Sequence, residues 1–338
     1  MILRRWVSIG AFGFEILKRY FVPQISKVNL ALTMRCNHRC LTCNIWQGNS
    51  TAKDEITIED MNRLFANNNL LWINLTGGEP SLASDFESIL TKCLQNTKVT
   101  SMTTNGRLPR RIASAVAHAL EHSKGSMLVV QVSLFGNPEI HDRMTNTRDS
   151  YNDVIETIKE LQKLKAGDRL ILGLHHVISR YNADEYKHVK QEAERLNVGI
   201  TFTFEEVSGF YQNTVNSEPQ ITVPKLGLST NPISLINRFH VMNVHHKAGC
   251  VAGEYSCFIM PDKNVYPCLF NVPDRKSFNL NDTDYKIRPV SFKKDMKWIR
   301  KCRGCWNPCE SYQMLIFRPW RFFHRLQSKR TGLSDKRQ

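Results

Sequence analysis

Between residues 27 and 205 the apolar positions alternate between two spacings. Short runs of strand length recur at Lys27–Thr33, Leu70–Leu75, Lys98–Thr103, Met127–Leu134, Arg169–Ile178 and Val198–Glu205. Between them the apolar residues spread to helical spacing, over Thr57–Phe65, Ser84–Gln95, Pro109–His122, Tyr151–Leu164 and Ala183–Leu196. Thr57 followed three residues later by Asp60 predicts a capped start for the first of these helices. Six strands alternating with helices predict βα units and a parallel, barrel-like sheet, with chemistry at the C-terminal ends of the strands.

After Val207 the rhythm stops. Residues Ser208–Asn231 are rich in Ser, Thr, Asn, Gln, Gly and Pro and read as a loop or substrate-facing insertion. Pro232–Lys247 reads as a helix with its Pro in the first turn, and a boundary falls near Gly249. At the other end, the apolar residues of Met1–Phe21 are interrupted by Arg4, Arg5, Glu15, Lys18 and Arg19, with Trp6, Phe12, Phe14, Tyr20 and Phe21 among them. That composition predicts a helix in a membrane interface with basic residues toward the headgroups; a helix closing the barrel is the alternative. Beyond Cys309, Arg318, Arg321, Arg325, Lys329 and Arg330 mix with Phe317, Trp320, Phe322, Phe323 and Leu326, a second segment of the same kind. No apolar run reaches the roughly 18–20 residues that cross a bilayer.

Charge and cysteine content narrow the function classes. A formal net charge of +15 favours anionic partners. An anionic membrane surface is expected ahead of nucleic acid, although a nucleic-acid-binding tail has a similar composition. Ten cysteines in 338 residues, without a small-residue cleavage pattern at the N-terminus, argue for metal ligation in a reducing compartment rather than an exported disulfide scaffold. The expected location is the cytoplasm, with peripheral contact to the inner face of the membrane.

The densest chemistry follows the first strand. Cys36, Cys40 and Cys43 form C-x3-C-x2-C, spaced so that the backbone can curl around an iron–sulfur cube and supply three of its four corners. Zinc, which prefers four protein ligands and C-x2-C pairs, is the competing reading. The second strand ends in Gly77-Gly78-Glu79, a backbone that allows close approach beside a carboxylate able to accept from an ammonium group. Together these motifs resemble the radical S-adenosylmethionine (SAM) superfamily. The resemblance implies a partial (β/α)6 TIM-type barrel and a [4Fe–4S] cluster on Cys36, Cys40 and Cys43. It implies SAM on the open iron with its amino group at Gly77, Gly78 and Glu79, and reductive cleavage of SAM to a 5′-deoxyadenosyl radical that abstracts hydrogen from substrate. An external flavodoxin- or ferredoxin-like electron donor goes with that chemistry.

Ser133, Arg143 and Asn182 are further positions where the resemblance implies contacts to SAM. Arg143 is read as a clamp for its carboxylate, with a surface helix-end Arg as the alternative; Asn182 can equally be a helix N-cap. Thr42 and Phe135 depart from the family, which has an aromatic and an Asp there. The pairs His175-His176 and His245-His246 lack a carboxylate or cysteine partner spaced to make a metal site. Cys93, on a helical pattern, reads as a buried small residue.

A second cysteine field contains Cys250, Cys257 and Cys268, then Cys302, Cys305 and Cys309. Its first part resembles the auxiliary-cluster domain called SPASM, with Lys263 where the family usually has Gly in a turn. Six thiols are two short of the eight that two fully ligated cubes need, so one auxiliary [4Fe–4S] cluster is expected, as in the shortened twitch variant. Its ligands would be Cys250, Cys257, Cys268 and one of the later group, Cys309 first and Cys305 next. Zinc at the later cysteines stays open. The expected organisation is an amphipathic helix over 1–24, a radical SAM barrel over 25–207, a linker and helix over 208–248, a small cysteine-rich SPASM/twitch-like domain over 249–312 and a basic aromatic tail over 313–338. The expected function is a radical SAM enzyme acting on a lipid or lipid-linked molecule at the membrane surface. A peptide- or protein-maturing enzyme and a non-catalytic iron–sulfur or zinc adaptor are the alternatives, and no catalytic residue is assigned.

Overall fold

The computed structural model describes residues 16–164, 166–213, 250–302 and 316–317. Six strands form in the expected places: β1 (Lys27–Ala31), β2 (Trp72–Thr76), β3 (Val99–Thr104), β4 (Met127–Ser133), β5 (Leu170–Ile178) and β6 (Gly199–Phe204). They pair in parallel with their sequence neighbours, each register offset continuing the last, so all six C-terminal ends lie on one side. The connecting helices are α1 (Ile58–Asn67), α2 (Phe86–Asn96), α3 (Pro109–Glu121), α4 (Pro138–Thr145), α5 (Ser150–Gln162) and α6 (Tyr186–Arg195). This is an incomplete α/β barrel.

Local chemistry explains the elements. Thr57 and Asp60 close a capping box at α1, Thr57 Oγ1 accepting from the Asp60 amide at 3.2 Å and Asp60 Oδ2 from the Thr57 amide at 3.0 Å. Asn137 caps α4 by accepting from the Ile140 amide, and Asn146 ends it in the left-handed region. The core lies between strands and helices, with Val28, Leu30, Ile73, Leu75, Val130 and Val132 facing Leu64, Leu90, Val116 and Ile158. Cys93 is buried in this core as expected.

The sheet does not stop at β1. Strand β7 (Ser256–Ile259) pairs in parallel with β1, and β8 (Asn264–Tyr266) and β9 (Phe278–Asn279) continue antiparallel, giving the order β6-β5-β4-β3-β2-β1-β7-β8-β9. A smaller, less regular region containing Cys250, Cys257 and Cys268 is thus built onto the barrel sheet. Lys263, in the β7–β8 turn, has φ of 67°, the left-handed conformation that favours glycine. Its ammonium group lies 3.4 Å from Asp60 of α1, and the Tyr285 hydroxyl donates to the same carboxylate oxygen. Burial pushes the Asp60 carboxyl up, but the Tyr285 and Thr57 hydrogen bonds and Lys263 outweigh it, and its pKa is lowered. The Lys that departs from the resemblance therefore fastens the added region to the barrel.

At the N-terminal end, residues 16–21 are helical. Arg19 is not turned toward headgroups as expected; it is fully buried and donates to Ser26 Oγ at 3.0 Å and to the Asn69 carbonyl at 2.9 Å. Met1–Glu15, Pro232–Lys247 with His245 and His246, Cys305, Cys309 and the tail beyond Phe317 lie outside the described residues.

Candidate metal and cofactor site

The loop after β1 carries Cys36, Cys40 and Cys43 and is held on three sides. On one, Gly78 N donates to the Thr33 carbonyl at 2.8 Å and Glu79 N to the Arg35 carbonyl at 2.9 Å. On the second, Arg39 N and Leu41 N donate to the carbonyls of Thr145 and Met144 at the end of α4. On the third, the Asn213 amide donates to the Thr42 carbonyl at 2.9 Å, and Asn44 N donates to the Tyr211 carbonyl. Thr42 is itself buried, and residues 208–213, the described start of the expected insertion, cover the cysteine loop.

The two glycines have a specific reason to be there. A Cβ on Gly77, whose φ is 134°, would stand 2.3 Å from the Thr33 carbonyl oxygen, and one on Gly78 would stand 2.2 Å from that of Arg35. The backbone they admit is that of the cysteine loop, so both expected halves of the site are joined strand end to strand end.

Glu79 is 1% exposed. Its Oε1 accepts from Ser81 N at 3.0 Å, Ser81 Oγ at 2.6 Å and Thr104 Oγ1 at 2.7 Å, and its Oε2 accepts from Asn105 N at 2.7 Å. Burial outweighs these donors and raises its pKa. A cation at this carboxylate would oppose that shift.

The three thiols have the electrostatics of an anionic ligand set awaiting a cation. Burial pushes Cys36 up to about 12, with Glu79 and Cys43 adding to the rise. Burial pushes Cys43 up to about 11, and Cys40 rises well above its ordinary value through burial and then its two neighbours. Thiolates here require compensating positive charge, which the irons of a cluster supply. The donor set fits a [4Fe–4S] group, although no group of three or more Cys, His, Asp or Glu side chains stands arranged as a metal site among the described residues.

Asn105, which follows β3, belongs to the site although no motif marks it. Its Nδ2 donates to Asn37 Oδ1 at 2.7 Å and lies 3.9 Å from Cys36 Sγ, while its own amide reaches Glu79. The Thr104-Asn105-Gly106 turn at a barrel strand end was the available signal.

The remaining expected residues have varied surroundings. Ser133 ends β4 opposite His175 of β5, half-buried. Arg143 is exposed and donates to the Tyr181 carbonyl at 3.4 Å. Asn182 is buried: its Oδ1 accepts from Ser179 N and Oγ, and its Nδ2 donates to the Phe135 and Val177 carbonyls. It latches the end of β5 to the loop after β4, and Glu185 rather than Asn182 precedes α6 as its N-cap. His176 donates to the Leu134 carbonyl and His175 meets Thr203 Oγ1, so these two serve the strands. Cys257 is fully buried on β7, Cys250 Sγ accepts from Ala252 N at 3.4 Å, and Cys268 Sγ lies 3.0 Å from Asn271 Oδ1. Cys302 is exposed after the short helix α7 (Met296–Ile299).

Comparison with known proteins bears on this geometry. The model of the radical SAM superfamily matches residues 30–193. A probable GTP 3′,8-cyclase of Thermococcus kodakarensis is 33% identical over 147 residues, 42% of this chain and 46% of that protein. The mycofactocin maturase MftC of Mycolicibacterium smegmatis is 24% identical over 264 residues, 72% of this chain and 64% of the relative. The chain thus spans between about half and two-thirds of the length of these two relatives. Among solved structures, Streptococcus suis SuiB bound to the precursor peptide SuiA aligns with a TM-score of 0.54 at 16% identity, over 82% of this chain and 69% of that one. Native anSMEcpe with bound AdoMet and the Cp18Cys peptide aligns with a TM-score of 0.53 at 18% identity, over 82% and 88%. At these identities the two structures share the fold.

Proposed function

We propose that the chain, whose residues 30–193 are a radical SAM domain, is a peptide- or protein-maturing radical SAM enzyme. The carrying observation is the similarity to MftC, named a maturase, over 264 residues and 72% of this chain; a GTP 3′,8-cyclase of Aquifex aeolicus matches 295 residues at 29% identity, so a small-molecule reaction of the cyclase kind is the second reading. The peptide-bound SuiB and anSMEcpe structures share the fold over the same breadth. This reading is better supported than the lipid substrate expected from the basic, aromatic chain ends, and the match to the superfamily over residues 30–193 supports an enzyme over a non-catalytic adaptor.

In this reading Cys36, Cys40 and Cys43 hold three irons of a [4Fe–4S] cluster, and Gly77, Gly78 and Glu79 meet the amino end of SAM. When bound, that group supplies one-electron cleavage of SAM to methionine and a 5′-deoxyadenosyl radical. The chain's part is placement. Gly78 and Glu79 lock the cysteine loop to the end of β2, which brings the Glu79 carboxylate near enough to raise the Cys36 thiol. Ser81, Thr104 and Asn105 orient the carboxylate through four hydrogen bonds. Residues 208–213 brace the loop through the Asn213 bond to the Thr42 carbonyl and the Asn44 bond to the Tyr211 carbonyl. Cys250, Cys257 and Cys268, with Cys309 or Cys305, hold one auxiliary cluster, and a flavodoxin- or ferredoxin-like protein supplies electrons.

The test is anaerobic. Reconstituted protein is expected to bind about eight irons and, with reductant, to release 5′-deoxyadenosine. Replacing Cys36, Cys40 and Cys43 by Ala should abolish that release and leave the C-terminal iron in place. Release stimulated by the host's peptide fraction supports maturation; stimulation only by its lipid extract overturns it. About four irons with zinc present would remove the auxiliary cluster.

A further inference from the structure

The helical segment 16–21 and the residue after it present an unusual outer face. Leu17, Phe21 and Val22 are 55%, 72% and 66% exposed, and Lys18 is exposed beside them. Val22 N donates to the Lys18 carbonyl at 3.0 Å, so the helical turn runs through all four residues. At helical spacing, positions 17, 18, 21 and 22 share one side. The buried Arg19, on the other, ties the segment to Ser26 and Asn69. An ordinary surface helix turns its apolar stripe inward and its charges outward; this turn does the reverse, anchored by its arginine.

Its position is equally informative. Ser26 immediately precedes β1, and Asn69 lies three residues before β2. Phe317, where the basic C-terminal segment begins, stacks on Tyr255 with centroids 4.5 Å apart and planes 5° apart. Tyr255 immediately precedes β7, and its carbonyl accepts from Ser26 N and Lys27 N. The strands involved are parallel, so the inner ends of both basic, aromatic segments meet the sheet at the N-terminal ends of its strands. The cysteine loop and Glu79 follow the C-terminal ends of β1 and β2.

We propose that the base of the barrel, through Leu17, Lys18, Phe21 and Val22, docks on an anionic lipid bilayer with the radical site facing away from it. An exposed apolar stripe with a lysine at its edge, adjoining segments that carry Arg4, Arg5, Arg318, Arg321 and Arg325 in sequence, has the complementarity an anionic headgroup layer selects. Such segments sink about 5–10 Å into the boundary. The five residues of β1 alone separate base from mouth by about 16 Å. The mouth therefore stays on the aqueous side. Attachment and substrate choice become separate properties, so the docking surface stands whether or not the substrate is a peptide.

Flotation of the full-length protein tests this, using vesicles of phosphatidylglycerol with phosphatidylcholine and vesicles of phosphatidylcholine alone. Flotation is expected with the anionic vesicles only, weakening as salt rises. The variant Leu17→Gln/Phe21→Gln/Val22→Gln keeps the net charge and should lose affinity by about tenfold or more with its melting temperature unchanged. Lys18→Glu should weaken binding further at low salt. Hydrogen exchange on vesicles should show protection over residues 16–22 and none over 36–48. Absent flotation, equal flotation of the triple variant, or protection over 36–48 would each overturn the proposal. So would a dimer, dispersed by the triple variant, in protein that ignores vesicles, because the face would then cover a second copy.

Discussion

Gly78→Ala is the sharpest single test of how the site is assembled. The added Cβ would lie 2.2 Å from the Arg35 carbonyl oxygen, 2.7 Å from its carbon and 3.0 Å from the Met34 oxygen. An unstrained C···O contact needs about 3.3 Å, so the cysteine loop must retreat by about 1 Å. Both close neighbours are backbone, and no side-chain rotation relieves them. That retreat stretches Gly78 N→Thr33 O and Glu79 N→Arg35 O, now 2.8 and 2.9 Å. At about 1 kcal/mol net per bond the loss is about 2 kcal/mol, or about 4–8 °C in Tm for a barrel of this size. The functional loss is larger, because a displacement of about 1 Å between positioned groups costs about a hundredfold in rate. Calorimetry of the metal-free protein, iron per chain after reconstitution and the rate of 5′-deoxyadenosine release measure the three consequences. Gly199→Ala is the control, since its Cβ meets only the Leu172 carbonyl oxygen at 3.6 Å; it should stay within about 0.5 kcal/mol. A Gly78→Ala protein with unchanged Tm, iron content and rate would refute this account of the glycine.

Further predictions concern other joints of the fold. Tyr285→Phe removes the hydroxyl donor to Oδ1 of the buried Asp60 carboxylate, leaving the Thr57 hydroxyl on Oδ2, and should cost about 2 kcal/mol at pH 7 by urea denaturation. Because the folded Asp60 pKa is lowered, its contribution is present above the unfolded value and lost as pH falls through the folded one; the cost should shrink below about pH 4. Burial holds His175 and His176 down to about 4, and burial followed by the field of His38 holds His141 down to about 3. The unfolded chain therefore binds more protons below the usual histidine value. Stability should fall from about pH 6.5 toward pH 4, by about 1 kcal/mol per imidazole per pH unit; a urea midpoint constant over that window would contradict their burial as neutral rings. Asn105→Ala removes the donor to Asn37 and the amide beside Cys36, and should cost about 1 kcal/mol and lower the cluster's reduction potential. An unchanged potential in an EPR-monitored titration would make Asn105 a turn residue only.

The strands were readable from sequence because each is a short apolar run bounded by polar turns, and even β1, whose Lys27 and Asn29 are buried, keeps that outline. Lys27 resolves its own burial by lying 4.0 Å over the Trp72 ring. The cysteines and Gly77-Gly78-Glu79 were visible as motifs, but their mutual backbone contact was not. It depends on the pairing of β1 with β2, which is set at long range. The same limit hid Arg19, whose partners Ser26 and Asn69 are 7 and 50 residues away. A basic residue in an aromatic, amphipathic segment reads locally as solvent-facing, and only the fold supplies the acceptors that bury it. Asn182 resembled a ligand contact or a cap because short polar side chains before helices usually cap them. Its four hydrogen bonds instead join two strand ends that meet only in the folded sheet.

Strand β7 hydrogen-bonds to β1 on the side opposite β2. Truncation before Cys250 would strip that side of β1 and leave the strand leading into the cysteine loop with a raw edge. A bare edge of unpaired amides and carbonyls recruits other strands. An isolated N-terminal fragment is therefore a candidate for aggregation, and its inactivity would say little about the chemistry of the cysteines it lacks. The C-terminal region thus covers an edge of the barrel sheet, a role independent of any metal chemistry.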